Sequence, residues 1–144
     1  MAANPAPAQP VLLDTCAAIW LMNGSQISTS SRTAIRSARA GNLGVYLSPI
    51  TAWEIGTLTS KGRLQLTLSP DVWFETLLAL PGIRLAALTP QILLHSTALP
   101  GTPPADPADR MLAATARLLG YRLITRDSKL LEYAKQGHIL ATAC

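Results

Sequence analysis

Four carboxylates stand where an α/β chain would bring them together. Asp14 ends the apolar run Val11-Leu12-Leu13. Glu54 lies one turn into a helix expected to begin at Ser48-Pro49. Asp109 falls in the first turn of a second helix, in Asp106-Pro107-Ala108-Asp109-Arg110. Asp127 follows Leu123-Ile124-Thr125-Arg126. The chain has only 8 acidic residues, so half of them occupy strand ends or first helical turns. Carboxylates gathered in this way hold a hard divalent cation, Mg²⁺ or Mn²⁺, through oxygen. Left alone they repel one another, and a cation relieves the repulsion. The same ion polarises a phosphodiester and lowers the pKa of a bound water. The chemistry expected is metal-dependent hydrolysis of a phosphate ester.

Each acid also has a plainer reading. Asp14 and Asp127 can cap the helices that follow them, and Glu54 can be a solvated helix residue. Asp106 occupies the position that Ser48, Ser69 and Thr89 hold before Pro49, Pro70 and Pro90. There a side-chain oxygen satisfies a free N–H, and proline at the first helical position loses nothing. Asp109 is therefore favoured as the ligand, with Asp106 as a cap or an additional ligand. For the cluster to be illusory, all the plain readings would have to hold together.

The elements that must place these acids alternate along the chain. Strands are expected at 11–13, 45–47, 83–87, 122–125 and 138–140. Helices are expected at 15–22, 28–39, 49–61, 70–80, 90–98, 107–119 and 128–135, with a Pro/Gly loop at 99–105. This order implies an α/β fold: one domain over residues 10–144, with a mostly parallel sheet of four to five short strands and helices on both faces. In such a sheet, ligands collect beyond the carboxyl ends of the strands. Residues 1–9 read as a flexible lead-in with neither the basic region nor the apolar core of a signal peptide. Arg32, Arg36 and Arg39 fall at i, i+4 and i+7, on one face of their helix.

Composition narrows the classes. At 144 residues and 49% hydrophobic, with 14% charged, the chain can bury a real core. A net charge of +4 suits a polyanionic partner such as RNA. No apolar run approaches the roughly 20 residues that span a bilayer. Cys16, expected in a buried segment, and Cys144 form no metal spacing, which fits a reducing, cytoplasmic location. His95 and His138 lack Cys or His partners, so a zinc site is not expected. Neither a phosphate-binding P-loop nor a dinucleotide-binding glycine motif occurs.

Read together, four stretches resemble the PIN-domain family, specifically the VapC-type toxin ribonucleases of bacterial toxin–antitoxin pairs. They are Leu12-Leu13-Asp14-Thr15; Leu47-Ser48-Pro49-Ile50-Thr51-Ala52-Trp53-Glu54-Ile55 with Lys61-Gly62-Arg63-Leu64; Asp106-Pro107-Ala108-Asp109-Arg110-Met111-Leu112-Ala113-Ala114-Thr115-Ala116; and Leu123-Ile124-Thr125-Arg126-Asp127. The resemblance runs from Val11 to Leu140. It implies that Asp14, Glu54, Asp109 and Asp127 bind one or two Mg²⁺ or Mn²⁺ ions for cleavage of single-stranded or loop RNA. A hydroxyl of Thr15 or Thr125 would support the site. Arg110 and Arg126 would reach a substrate phosphate, or pair with the acids when no metal is bound. The resemblance also implies a homodimer and a cognate antitoxin lying in a groove walled by the helices at 49–61 and 70–80, with Trp53, Trp73 and Phe74. The rival readings are plain core for those aromatics and, for the whole chain, a non-catalytic RNA- or protein-binding module. A structure-specific DNA nuclease would need insertions for which the chain is too short. The Pro-rich run Leu99–Ala105 departs from a short polar lead-in and bears on how Asp106 and Asp109 are presented.

Overall fold

The computed structural model describes residues 8–144. The lead-in expected at 1–9 therefore falls almost wholly outside the described residues. Five short strands, β1 (Val11–Leu13), β2 (Val45–Leu47), β3 (Ile83–Leu85), β4 (Arg122–Thr125) and β5 (Leu140–Ala143), form one sheet in the order β3-β2-β1-β4-β5. Every pairing is parallel, with Leu12 beside both Tyr46 and Leu123. The chain winds outward from β1 to β2 and β3, then crosses back to β4 and β5. The strand order thus reverses between β1 and β4, which opens a crevice beyond their carboxyl ends.

Seven helices cover the sheet: α1 (Thr15–Asn23), α2 (Thr29–Ala40), α3 (Pro49–Ser60), α4 (Pro70–Leu78), α5 (Pro90–Ser96), α6 (Pro107–Leu119) and α7 (Ser128–Lys135). Strand residues alternate between two cores, as a period of two requires. Val11, Leu13, Val45 and Leu47 pack with Ala17, Ile35, Trp73 and Leu77 on one face. Leu12 and Leu123 pack with Ile92, Leu112, Leu130 and Tyr133 on the other. The cap-then-proline signal holds at all four places: Ser48, Ser69, Thr89 and Asp106 each accept a backbone N–H of the first turn, with proline following.

Helix and strand bounds agree with the sequence reading to within two residues, except at the last strand. That strand was expected at 138–140 and runs instead from Leu140 to Ala143. Gly137 turns the chain with φ 87°. Arg117 donates to the His138 carbonyl at 2.8 Å. The His138 ring tilts against Tyr133, with centroids 5.1 Å apart. These contacts hold residues 137–139 in a turn, so pairing with β4 starts at Leu140. Cys16 is a second correction. It sits on α1 but is exposed, while Ala17 and Ala18 beside it take the core.

Candidate active site

All five acids reach the crevice edge, and three of them, Asp14, Asp106 and Asp127, are helix caps. Asp14 directly follows β1 and caps α1, its Oδ1 accepting from the Ala17 N–H at 2.7 Å. Its Oδ2 accepts from the Thr125 hydroxyl at 2.5 Å. The same hydroxyl accepts from the Asp127 N–H at 3.0 Å. Asp127 in turn caps α7 through the Leu130 N–H. Thr125 thus ties the end of β1 to the end of β4. On the other flank, the Thr15 hydroxyl donates to Glu54 at 2.6 Å and lies 3.4 Å from the Thr51 hydroxyl. Asp106 caps α6 by accepting the Asp109 N–H at 2.9 Å. Capping and clustering are therefore not competing readings: Asp14, Asp106 and Asp127 do both.

The electrostatics show how close the acids stand. Burial raises the Asp109 carboxyl to about 7, with the charges of Asp106, Asp127, Glu54 and Asp14 adding to the rise. Burial also raises Asp14, against the Thr125 and Ala17 hydrogen bonds, with Asp127 pushing the same way as burial. Glu54 is raised by burial too, with its bond to Thr15 opposing and Asp106 and Asp14 reinforcing. The Cys16 thiol is pushed up by desolvation and by Asp14, Glu54, Asp109 and Asp127, which locates it beside the acids. A buried carboxylate normally finds a cationic partner. Here, among the described residues, the one ion pair joins Lys135 to Glu132, both exposed and apart from these acids.

Arg110 and Arg126, expected to reach a substrate phosphate or else to pair with the acids, form no ion pair with them among the described residues. Arg110 donates to the carbonyls of Ser96 at 2.9 Å and Pro104 at 3.2 Å, strapping the Pro-rich loop to α6. Arg126 donates to the Cys144 carbonyl at 2.9 Å and lies 3.6 Å over the Trp20 ring. Both guanidiniums find their hydrogen-bond partners in backbone carbonyls. The groove aromatics divide: Trp73 is core at 3% exposure, Phe74 is half-buried, and Trp53 is 62% exposed on α3. Sequence reasoning missed Thr51, whose hydroxyl lies fully buried behind Thr15. Its spacing of three before Glu54 placed it on the same helical face and was the available signal.

The donor set is all oxygen, which suits a hard cation and not zinc. Among the described residues, no three acidic, histidine or cysteine side chains already surround one point at ligating distance. The fit therefore lies in donor chemistry and unrelieved repulsion, with Asp14 and Glu54 held in place by threonine hydroxyls.

A parallel α/β sheet with acids collected at its switch point defines the class of protein. Residues 11–136 match the PIN domain, and the chain belongs to the PIN-domain family, among its VapC-type members. It is 35% identical over 121 residues to Ribonuclease VapC22 of Mycobacterium tuberculosis, covering 83% of this chain and 88% of that protein. Two solved structures share the fold. VapBC2 from Rickettsia felis, bound to a DNA fragment from their promoter, superposes with a TM-score of 0.67 at 13% identity, covering 94% of this chain and 98% of that one. DNA-bound VapBC from Salmonella typhimurium superposes with a TM-score of 0.63 at 18% identity over the same shares.

Proposed function

We propose that this chain is the toxin of a toxin–antitoxin pair, a Mg²⁺- or Mn²⁺-dependent endoribonuclease that hydrolyses RNA phosphodiester bonds in the cytoplasm. The observation that carries the reading is the gathering of Asp14, Glu54, Asp106, Asp109 and Asp127 at the crevice edge, where burial and the other four acids raise the Asp109 carboxyl and none of the five is in an ion pair among the described residues. The likeness to Ribonuclease VapC22 supports ribonuclease activity. That the structural neighbours are VapBC assemblies supports a cognate antitoxin as partner. The exposed Trp53 and Leu94, at 62% and 72%, agree with a homodimer or antitoxin covering part of the helical surface. No helix among the described residues is long and apolar enough to cross a membrane.

Asp14, Glu54, Asp109 and Asp127 would hold the cation, with Asp106 beside them. When bound, such an ion supplies Lewis-acid polarisation of the phosphate and an activated water. The chain's own residues supply position. Thr125 locks Asp14 and Asp127 to each other, so the two strand-end acids move as one unit. Thr15 sets the Glu54 carboxylate. The Asp106 cap fixes the α6 backbone that carries Asp109. Arg110 holds the loop that delivers Asp106 and Asp109, acting on the site through main-chain carbonyls.

The reading is tested by mapping new RNA 5′ ends after induction of the wild-type chain against an Asp109→Asn control. Sharp ends present only with the wild type are expected. Identical maps, with both proteins folded and free of antitoxin, would favour a non-catalytic binding module.

A further inference from the structure

The acid cluster that would perform the chemistry is a poor place to bind a polyanion. Up to five carboxylates stand there, and the two arginines beside them in sequence, Arg110 and Arg126, are committed to backbone carbonyls. Phosphates must then be held elsewhere. Between Asp14 and Glu54 the chain has no acidic residue at all, and Arg32, Arg36 and Arg39 lie within that stretch. All three are exposed on α2. Together they line one groove of about 350 Å³, with Leu21, Ile27 and Ile35 as its apolar surface. None of the three has a carboxylate partner among the described residues. Helix geometry spaces them about 6 and about 4.5 Å apart along the axis, a rising row of planar forks suited to successive phosphates.

The groove is also connected to the acids. Cys16 and Trp20 succeed one another at i and i+4 on one ridge of α1, about 6 Å apart along the axis, and Gly24 closes the helix beyond them. Cys16 is two residues beyond Asp14, on the first turn of α1. Trp20 carries the Arg126 guanidinium on its ring, next to Asp127 in sequence. Gly24 lines the groove. We propose that the Arg32–Arg36–Arg39 groove between α1 and α2 binds the backbone of single-stranded RNA and feeds it along the α1 ridge to the acid cluster. The proposal rests on the ribonuclease reading for its substrate. Charge favours a phosphate backbone over an acidic peptide because the row is regular, contains no lysine or hydrogen-bonding acid, and has an open groove beside it.

The test measures binding apart from cleavage. Fluorescence anisotropy of a fluorescein-labelled, mixed-sequence single-stranded RNA is followed over a salt series, using full-length protein carrying Asp14→Asn. Compared with that background are Arg32→Gln/Arg36→Gln/Arg39→Gln, the corresponding triple Arg→Lys variant, and a charge-matched control, Lys61→Gln/Arg63→Gln/Lys135→Gln. Each lost phosphate contact removes about 0.7 from the slope of log K on log salt for a single strand. The arginine-to-glutamine variant is expected to lose about 2 in slope and at least about tenfold in affinity at low salt. The lysine variant should keep most of the slope, and the control should match the background. Equal slopes for the glutamine variant and the control would overturn the proposal. Unchanged RNA binding with loss of antitoxin binding would also overturn it and give the row to the protein partner. Cleavage by the wild-type chain is scored separately, so failure of the ribonuclease reading is distinguishable from failure of the groove.

Discussion

Removing the Asp109 charge should make the protein more stable, though it should make it inactive. An ordinary aspartate titrates near 3.8, whereas Asp109 in the fold titrates near 7. Between those values the folded state binds a proton that the unfolded state has released. Stability contributed by that proton is present below the unfolded pKa and is lost as pH rises through the folded one. At 1.36 kcal/mol per factor of ten, the full difference amounts to about 4 kcal/mol. Asp109 is only half-buried, so solvent screening reduces the usable share to about 2 kcal/mol. Asp109→Asn has no such charge, so at pH 8 with chelator it should exceed the wild type by about 2 kcal/mol. That corresponds to roughly 4–8 °C in midpoint for a domain of this size. The excess should vanish near pH 4. Adding Mg²⁺ at pH 8 should stabilise the wild type and close the gap. Thermal and urea unfolding at pH 4, 6 and 8, with chelator and with Mg²⁺, would measure all three. An Asp109→Asn protein no more stable than wild type at pH 8 in chelator would refute the account of the cluster's repulsion.

Three further substitutions separate the supporting residues. Thr125→Val removes a buried hydroxyl that serves both Asp14 and Asp127, so unfolding should show a loss of about 1–3 kcal/mol and RNA cleavage assays a lower rate. Arg110→Ala frees the carbonyls of Ser96 at the end of α5 and Pro104 in the loop, and should cost about 2 kcal/mol in urea unfolding, with Arg110→Lys recovering only part because one ammonium cannot span both. Asp106→Ser keeps a capping oxygen and should hold stability within about 1 kcal/mol, with most cleavage retained; total loss of cleavage would make Asp106 a ligand.

The sequence disclosed whatever depends on local rules. Buried parallel strands announced themselves as Val11-Leu12-Leu13 and Leu123-Ile124, and cap-proline pairs marked four helix starts. Topology followed from alternation, because a right-handed crossover between parallel strands leaves few arrangements. What stayed hidden was tertiary. β5, with its sequence Leu-Ala-Thr-Ala, lies at the sheet edge and carries no continuous apolar signal. Its start is set by Arg117 from α6, far away in the chain. Cys16 looked buried because its neighbours are apolar, yet the helix turns it toward the acids. The charges of Arg110 and Arg126 next to acids in sequence said nothing of the carbonyls of Ser96, Pro104 and Cys144 that claim them. The places of Asp14, Asp109 and Asp127 in the fold were legible because strand ends and a first helical turn fix them. The threonine ties between them were legible only as hydroxyls in the right places.

The most direct test of the central claim uses purified, antitoxin-free protein and a structured synthetic RNA, titrated with Mg²⁺ or Mn²⁺ and compared with Asp14→Asn. The account predicts site-defined cleavage that rises with metal, stops with chelator and is absent in Asp14→Asn. Cleavage that persists in chelator, or in a contaminant-free Asp14→Asn preparation, would contradict it.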